Sequence, residues 1–161
     1  MTQEVESLIT DEMRASVGVE SEPTILEVDN TGIRMFARAV QHVDQIYYDE
    51  DYAKGKGHRG LVAPPGYFGT PIYNPKNPVR GPGTQLGAHG KPLRSLNGGS
   101  EFEFTGIDIC AGDTITAVTK VVSVSERKAS LGMMVITRRE TTYTNQLGEV
   151  VGRSYGTNLA Y

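Results

Sequence analysis

The last third of the chain constrains the fold most. Asp113 to Val124 is rich in Thr, Val and Ile, Ser130 to Thr144 is a longer β-branched run, and Glu149 to Tyr155 is a third such segment. Asn145-Gln146-Leu147-Gly148 separates the second from the third and holds the residue types that turn a chain. β-Branched side chains fit a pleated surface, so the pattern predicts strands over 113–124, 130–144 and 149–155, the last two paired as a hairpin. Ser100-Glu101-Phe102-Glu103-Phe104 alternates polar with apolar and predicts one more strand.

Helical signals come earlier. Val5, Leu8, Ile9 and Met13 recur at helical spacing and predict an amphipathic helix over 3–15. Thr24 to Val28 reads as a strand. Asp29-Asn30-Thr31-Gly32 then offers capping side chains, and Ile33, Phe36, Ala37 and Val40 share one face, which predicts a helix over 31–42. Asp49 to Ala53 suits a helical turn. Ala63-Pro64-Pro65-Gly66 fits a helix start, because proline is tolerated in a first turn, and the apolar segment Tyr67 to Tyr73 would continue it, against the opposition of Gly69 and Pro71. Asn74 to Arg94 is rich in Pro, Gly, Asn and Lys and reads as a long loop, a feature that in compact domains is usually functional or disordered. Helices followed by an antiparallel meander make the expected class α+β. With 161 residues and no repeat or linker, one domain over 1–161 is expected.

Several functions are disfavoured. A net charge of −3 gives no general attraction to nucleic acid. The single cysteine, Cys110, permits no internal disulfide and sits in the mostly apolar run Ile107 to Ala111, as a buried inert thiol would. The first residues carry Glu4 and Glu6 rather than a basic and then apolar leader, and the longest apolar stretch, Leu131 to Ile136, is too short to span a bilayer. A cytoplasmic protein with no membrane or nucleic-acid partner is expected. His42, His58 and His89 are scattered without metal-ligand spacing, and Gly55-Lys56-Gly57 and Gly81-Pro82-Gly83 lack the full phosphate-loop motif. No metal or cofactor is expected.

Three segments carry a family resemblance. They are Ala39 to Ala53 followed by Gly60-Leu61-Val62-Ala63-Pro64-Pro65, then Arg94 to Phe104 with Gly112-Asp113 behind it, then Tyr143 to Val151. In order and spacing they resemble the MaoC-like dehydratases and (R)-specific enoyl-CoA hydratases, above all the N-terminal-type, fatty-acid-synthase-like dehydratase branch, over about residues 5–158. The resemblance implies a hot-dog fold, a central helix wrapped by a curved antiparallel sheet. It also implies units packed sheet edge to sheet edge, with acyl-thioester sites at the junction.

Hydration of an enoyl thioester needs a base for the attacking water, an acid for the α-carbon and hydrogen-bond donors for the thioester oxygen. Active members of the family place an Asp and a His in the pattern Asp-x-Asn-Pro-x-His. Aligned on Asp49 and Ala53, this chain puts His42 at the Asp position, Asp44 at the Asn position, Gln45 at the Pro position and Tyr47 at the His position. A tyrosine with its ordinary pKa near 10 is a poor base at neutral pH. N-terminal-type domains often carry Tyr there and leave catalysis to a partner. The resemblance thus implies a subunit that shapes an acyl-CoA pocket for a MaoC-like catalytic partner in a homo- or hetero-oligomer. Two alternatives stand beside it: a self-sufficient hydratase using His42, Asp44 and Tyr47, and a non-catalytic acyl-CoA-binding module. The ordinary roles for these residues are a helix-end histidine for His42 and a turn cap for Asp44.

Further residues suit an acyl-CoA ligand. Lys54, Lys56, His58 and Arg59 form a basic cluster that fits either coenzyme A phosphates or a solvated loop, and Arg59 is the binding candidate among them. Lys76, Arg80, Lys91 and Arg94 pose the same choice, with Arg94 adjoining a family-like segment. The backbone amides of Gly66 and Tyr67 are candidate donors to a thioester oxygen. Asn97 and Gly98 either let a ligand approach closely or bend the chain into a strand.

Overall fold

The computed structural model describes residues 7–73, 75, 85–86, 90, 92–130 and 132–161. Most of the long loop expected over 74–94, with Lys76, Arg80, His89 and Lys91, lies outside them, as do residues 3–6 of the first expected helix.

That first helix is short: α1 is Asp11–Ala15, capped by Thr10, whose side chain accepts from the Met13 amide. Residues 7–9 are not helical because Glu126 claims them. Its carboxylate accepts from the Ser7 hydroxyl at 3.0 Å, from the Ile9 amide at 3.0 Å and from the Leu8 amide. β1 is Thr24–Glu27 and α2 is Asn30–Ala39. Asp29 starts α2 by accepting from the Thr31 and Gly32 amides at 2.8 and 2.9 Å. The helix stops three residues short of the expected end. Gln41 takes a left-handed φ of 60°, His42 N–H donates to Ala37 O at 2.9 Å and Gln41 N–H to Arg38 O at 3.2 Å. This is the Schellman closure, formed with glutamine where glycine is usual. A 3-10 turn, Gln45–Tyr47, and α3, Glu50–Gly55, follow, each with an aspartate cap: Asp44 on the Ile46 amide and Asp49 on the Tyr52 amide.

No helix forms over 63–73. Tyr67 N–H closes a turn on Pro64 O, Gly66 and Gly69 adopt φ values of 93° and 112°, and Thr70–Pro71 becomes β2, paired with β1. Two left-handed residues three apart break a helical repeat, and the Gly69 site would press a Cβ to 2.9 Å from Glu27 O.

The sheet is antiparallel and six-stranded. With β3 (Gln85–Leu86) and β4 (Pro92–Leu93) forming a separate ribbon, its remaining strands are β5 (Ser95–Phe104), β6 (Thr114–Ala129), β7 (Gly132–Asn145) and β8 (Val150–Ala160). Their order is β2-β1-β6-β7-β8-β5. The hairpin between β7 and β8 turns where the sequence predicts, with the buried Asn145 side chain accepting from the Leu147 and Glu149 amides at 3.0 Å. Inward positions of the strands, Ile115, Val135 and Val151, are fully buried together with Ile33 of α2 and Leu61. Each such side chain contributes about 1.5–3 kcal/mol of burial. Phe68, from the segment where a helix was expected, enters this core. Its ring stacks on Tyr143 at 3.8 Å between centroids and lies 6.0 Å from Phe104. Gly152 makes room for it, since a Cβ there would stand 2.9 Å from the Phe68 ring. Among the described residues no helix is long and apolar enough to cross a membrane.

Candidate functional site

The chain from Leu61 to Ala63 is pinned between two elements. Val62 N–H donates to Ile46 O, Ala63 N–H to Ile109 O and Ala111 N–H to Leu61 O. Beside this clamp lies a cleft of about 220 Å³ whose walls include Tyr47, Pro64, Pro65, Tyr67, Phe104 and Asp108. It is smaller than the usual ligand pocket of roughly 300–1,000 Å³. Phe104, half-exposed, is the last residue of β5, so the cleft reaches the sheet's edge. All ten residues of β5 are exposed, and β8 is its sole strand partner among the described residues.

The three positions read as a degenerate acid–base site stay neighbours here but take different surroundings. Tyr47 lines the cleft. Burial, and then the negative charge of Asp44, raise its pKa above the ordinary tyrosine value, so its hydroxyl stays protonated and is able to donate. His42 is exposed beyond the Schellman turn, with its ring 5.5 Å from that of Tyr47 and its carbonyl accepting from Tyr48 OH at 2.6 Å. Asp44 is a cap, its Oδ1 accepting from the Ile46 amide at 3.1 Å.

The basic cluster disperses. Lys54 pairs with Glu50 at 2.7 Å, and Lys56 lies over the Tyr52 ring at 5.4 Å. Arg59 forms a two-pronged pair with Asp113 at 2.7 and 2.8 Å, so a phosphate would have to compete with that carboxylate. Asp113 is buried and also accepts from the Cys110 amide at 2.8 Å and from Gln146 Nε2 at 2.9 Å. Burial alone would raise its pKa; the bonds from Arg59, Cys110 and Gln146 outweigh burial and hold the carboxyl below the usual range. The same pairing raises the Arg59 pKa further. Cys110 is fully buried, and burial pushes its thiol up.

Of the two candidate amide donors, that of Tyr67 is taken by Pro64 O at 3.0 Å. Gly66 lies on the turn beside Phe36, and the Tyr67 hydroxyl, in the cleft wall, bonds Thr70 at 3.1 Å. Arg94 is exposed and exchanges backbone bonds with Tyr161 at 2.8 and 3.0 Å. Asn97 and Gly98 sit on a bulge of β5. Asn97 Oδ1 accepts from the Gly99 amide, and the space above Gly98 is filled by Leu159, 2.9 Å from where a Cβ would stand. Both residues are thus away from the cleft, with Asn97 on a separate open concavity that includes Arg139 and Asn158.

Sequence reasoning missed one pair. Asp108 lines the cleft, and its Oδ2 accepts from His58 Nδ1 at 2.6 Å. The partners are 50 residues apart. His58 was legible only as a member of a basic cluster, and Asp108 carried no signal.

A family model for the FAS1-like dehydratase domain region matches residues 15–153. A protein of Thermomonospora curvata, described as a probable enoyl-CoA hydratase alpha subunit, is 32% identical over 129 residues, covering 74% of this chain. The chain spans 40% of that relative's length. Among solved structures, the HadBC (3R)-hydroxyacyl-ACP dehydratase complex of Mycobacterium tuberculosis aligns with TM-score 0.64 at 23% identity, over 89% of this chain and 96% of that one. The ChsH1–ChsH2 complex of the same organism gives TM-score 0.62 at 17% identity, over 87% of each chain. The (R)-hydratase of A. caviae gives 0.59 at 14% identity, over 88% of this chain and 94% of that one. These likenesses establish the hot-dog fold, here with a turn and the Phe68 ring where the sequence predicts the central helix to begin. The chain belongs to the MaoC-like dehydratase and enoyl-CoA hydratase family, in its FAS1-like dehydratase branch.

Proposed function

We propose that this chain is a subunit of an enoyl-CoA hydratase or acyl dehydratase, and that it shapes an acyl-thioester pocket for a MaoC-like partner carrying the Asp/His pair. The observation that carries this reading is the cleft that runs out at Phe104 on a bare ten-residue edge strand. An unpaired edge of that length invites another strand, and a second hot-dog unit laid along β5 would wall the cleft on its open side. The protonated Tyr47 hydroxyl then serves as a donor to the thioester oxygen rather than as a base. Tyr67, in the cleft wall, would border the acyl group, and the amide of its neighbour Gly66 is a further candidate donor. The names of the relatives agree: one is an alpha subunit, and two solved neighbours are two-component complexes. We place the chain in the cytoplasm, where its single buried thiol needs no oxidising compartment.

The test is hydration of crotonyl-CoA by the chain alone and by its complex with a partner holding an intact pair. The complex should exceed the lone chain by roughly 10²-fold or more, and substitution of the partner's Asp or His should remove that excess. Tyr47→Phe should lower turnover of the complex several-fold. A lone chain as fast as any complex would sink the reading, as would ligand binding without turnover in every pairing.

A further inference from the structure

We propose that Asp108, held in place by His58, is a catalytic proton-transfer residue that this chain supplies to its own cleft, separate from any pair on a partner. The positions where the family pattern puts its acid–base groups hold a solvent-exposed histidine and a protonated tyrosine. An acidic residue that lines the cleft comes from elsewhere, from the segment between β5 and β6.

The pair is built rather than incidental. On the Asp108 side, Ile109 O and the Ala111 amide are bonded to Ala63 and Leu61, and the Asp108 carbonyl accepts from Arg59 Nη2 at 3.3 Å. On the His58 side, the histidine amide donates to Ala53 O at 3.1 Å, and its neighbour Arg59 is locked on the buried Asp113. Both backbones are therefore fixed within a few residues of the pair, the condition for a preorganised proton-transfer group. A carboxylate only accepts, so His58 Nδ1 carries the hydrogen that bonds Oδ2. That bond sets the carboxylate plane and leaves Oδ1, which has no other partner among the described residues, for water. The Asp108 side chain is 50% exposed, so water reaches it, while Tyr47 and Tyr67 stand in the same cleft.

The substrate class rests on the acyl-thioester reading above; the partner does not enter. Asp108 accepts a proton from water as the water oxygen bonds the β-carbon of an enoyl thioester. The double-bond pair shifts to the α-carbon and spreads onto the thioester oxygen, which Tyr47 O–H supports. The α-carbon then takes the proton back from the Asp108 carboxyl. One water is consumed, and nothing is oxidised or reduced. His58 acts through Asp108 and is a positioning residue.

The experiment uses the whole chain purified without a partner, with crotonyl-CoA as probe, following loss of the enoyl group and formation of the 3-hydroxyacyl product. Slow but measurable turnover is expected. Asp108→Asn should lower it about 10²-fold. His58→Gln should lower kcat more than it changes KM and should alter the acid limb of the pH–rate profile. Both variants should keep the wild-type thermal midpoint. Should Asp108→Asn unfold, Asp108→Glu decides: a lost rate at an unchanged midpoint supports the assignment, and a full rate overturns it. A wild-type rate no higher than that of Asp108→Asn removes Asp108 from the chemistry and leaves the partner reading intact. A lone chain matching the complex, with the rate lost in Asp108→Asn, keeps Asp108 and sinks the partner reading instead.

Discussion

Two neighbouring residues, His58 and Arg59, each reach across to an aspartate, and the two pairs have opposite characters. Asp113 has 2% of its side chain exposed and accepts from Arg59 twice, from the Cys110 amide and from Gln146. Every lone pair that matters is spoken for. Asp108 is half-exposed, lines the cleft, accepts from His58 through one oxygen and leaves the other without a partner among the described residues. A saturated buried carboxylate holds the fold together; an unsaturated one beside an apolar cleft is available for chemistry.

The largest expected effect breaks the first pair. Asp113→Ala leaves Arg59, the Cys110 amide and Gln146 without their acceptor and should cost about 3–5 kcal/mol, lowering the thermal midpoint by roughly 6–20 °C. Chemical and thermal denaturation would show it, and a loss below about 1 kcal/mol would refute the structural role. The same pair predicts a pH dependence. Because the Asp113 carboxyl titrates below its unfolded value near 4, its contribution is fully present above that pH. It is lost as the pH falls through the folded value. The stability gap between wild type and Asp113→Ala should therefore be constant at neutral pH and shrink below about pH 4.

Gly152→Ala tests the aromatic seat beside the cleft. Its Cβ would meet both the Phe68 ring and Glu103 O at 2.9 Å, and backbone cannot swing aside as a side chain can. A loss of about 1–3 kcal/mol is expected in urea denaturation. Asp108→Asn sharpens the contrast with Asp113, since a half-exposed pair of this kind contributes at most about 1 kcal/mol and its midpoint should hardly move. The smallest effect has the opposite sign. Gln41→Gly removes a side chain from a left-handed position and should raise stability by about 0.5–1 kcal/mol, read as a shift in the urea midpoint at unchanged slope.

Much of the fold was legible because it is written in local periods. The strands over 113–155, the Asn145 turn, the Asp29 cap and the helical turn from Asp49 depend on residues within a turn or a hairpin of one another, and they form as read. The first helix is cut to Asp11–Ala15 for a distant reason: Glu126, more than a hundred residues away, takes the amides of Leu8 and Ile9. The helix expected at Pro64 fails because Gly66 and Gly69 turn left-handed to place Phe68 against Tyr143 and to pair Thr70 with β1.

The site divides in the same way. Residue types and spacing determined an α+β class, and the resemblance to the MaoC-like family showed that positions 42 to 47 depart from its Asp/His pattern. Only the tertiary structure decided that Tyr47 faces a cleft while His42 does not, that Arg59 is committed to Asp113, and that His58 finds Asp108. Periodicity reports on neighbours along the backbone. A hydrogen bond across 50 residues depends on how the Val62–Cys110 bridge brings two loops together, and no local pattern encodes that meeting.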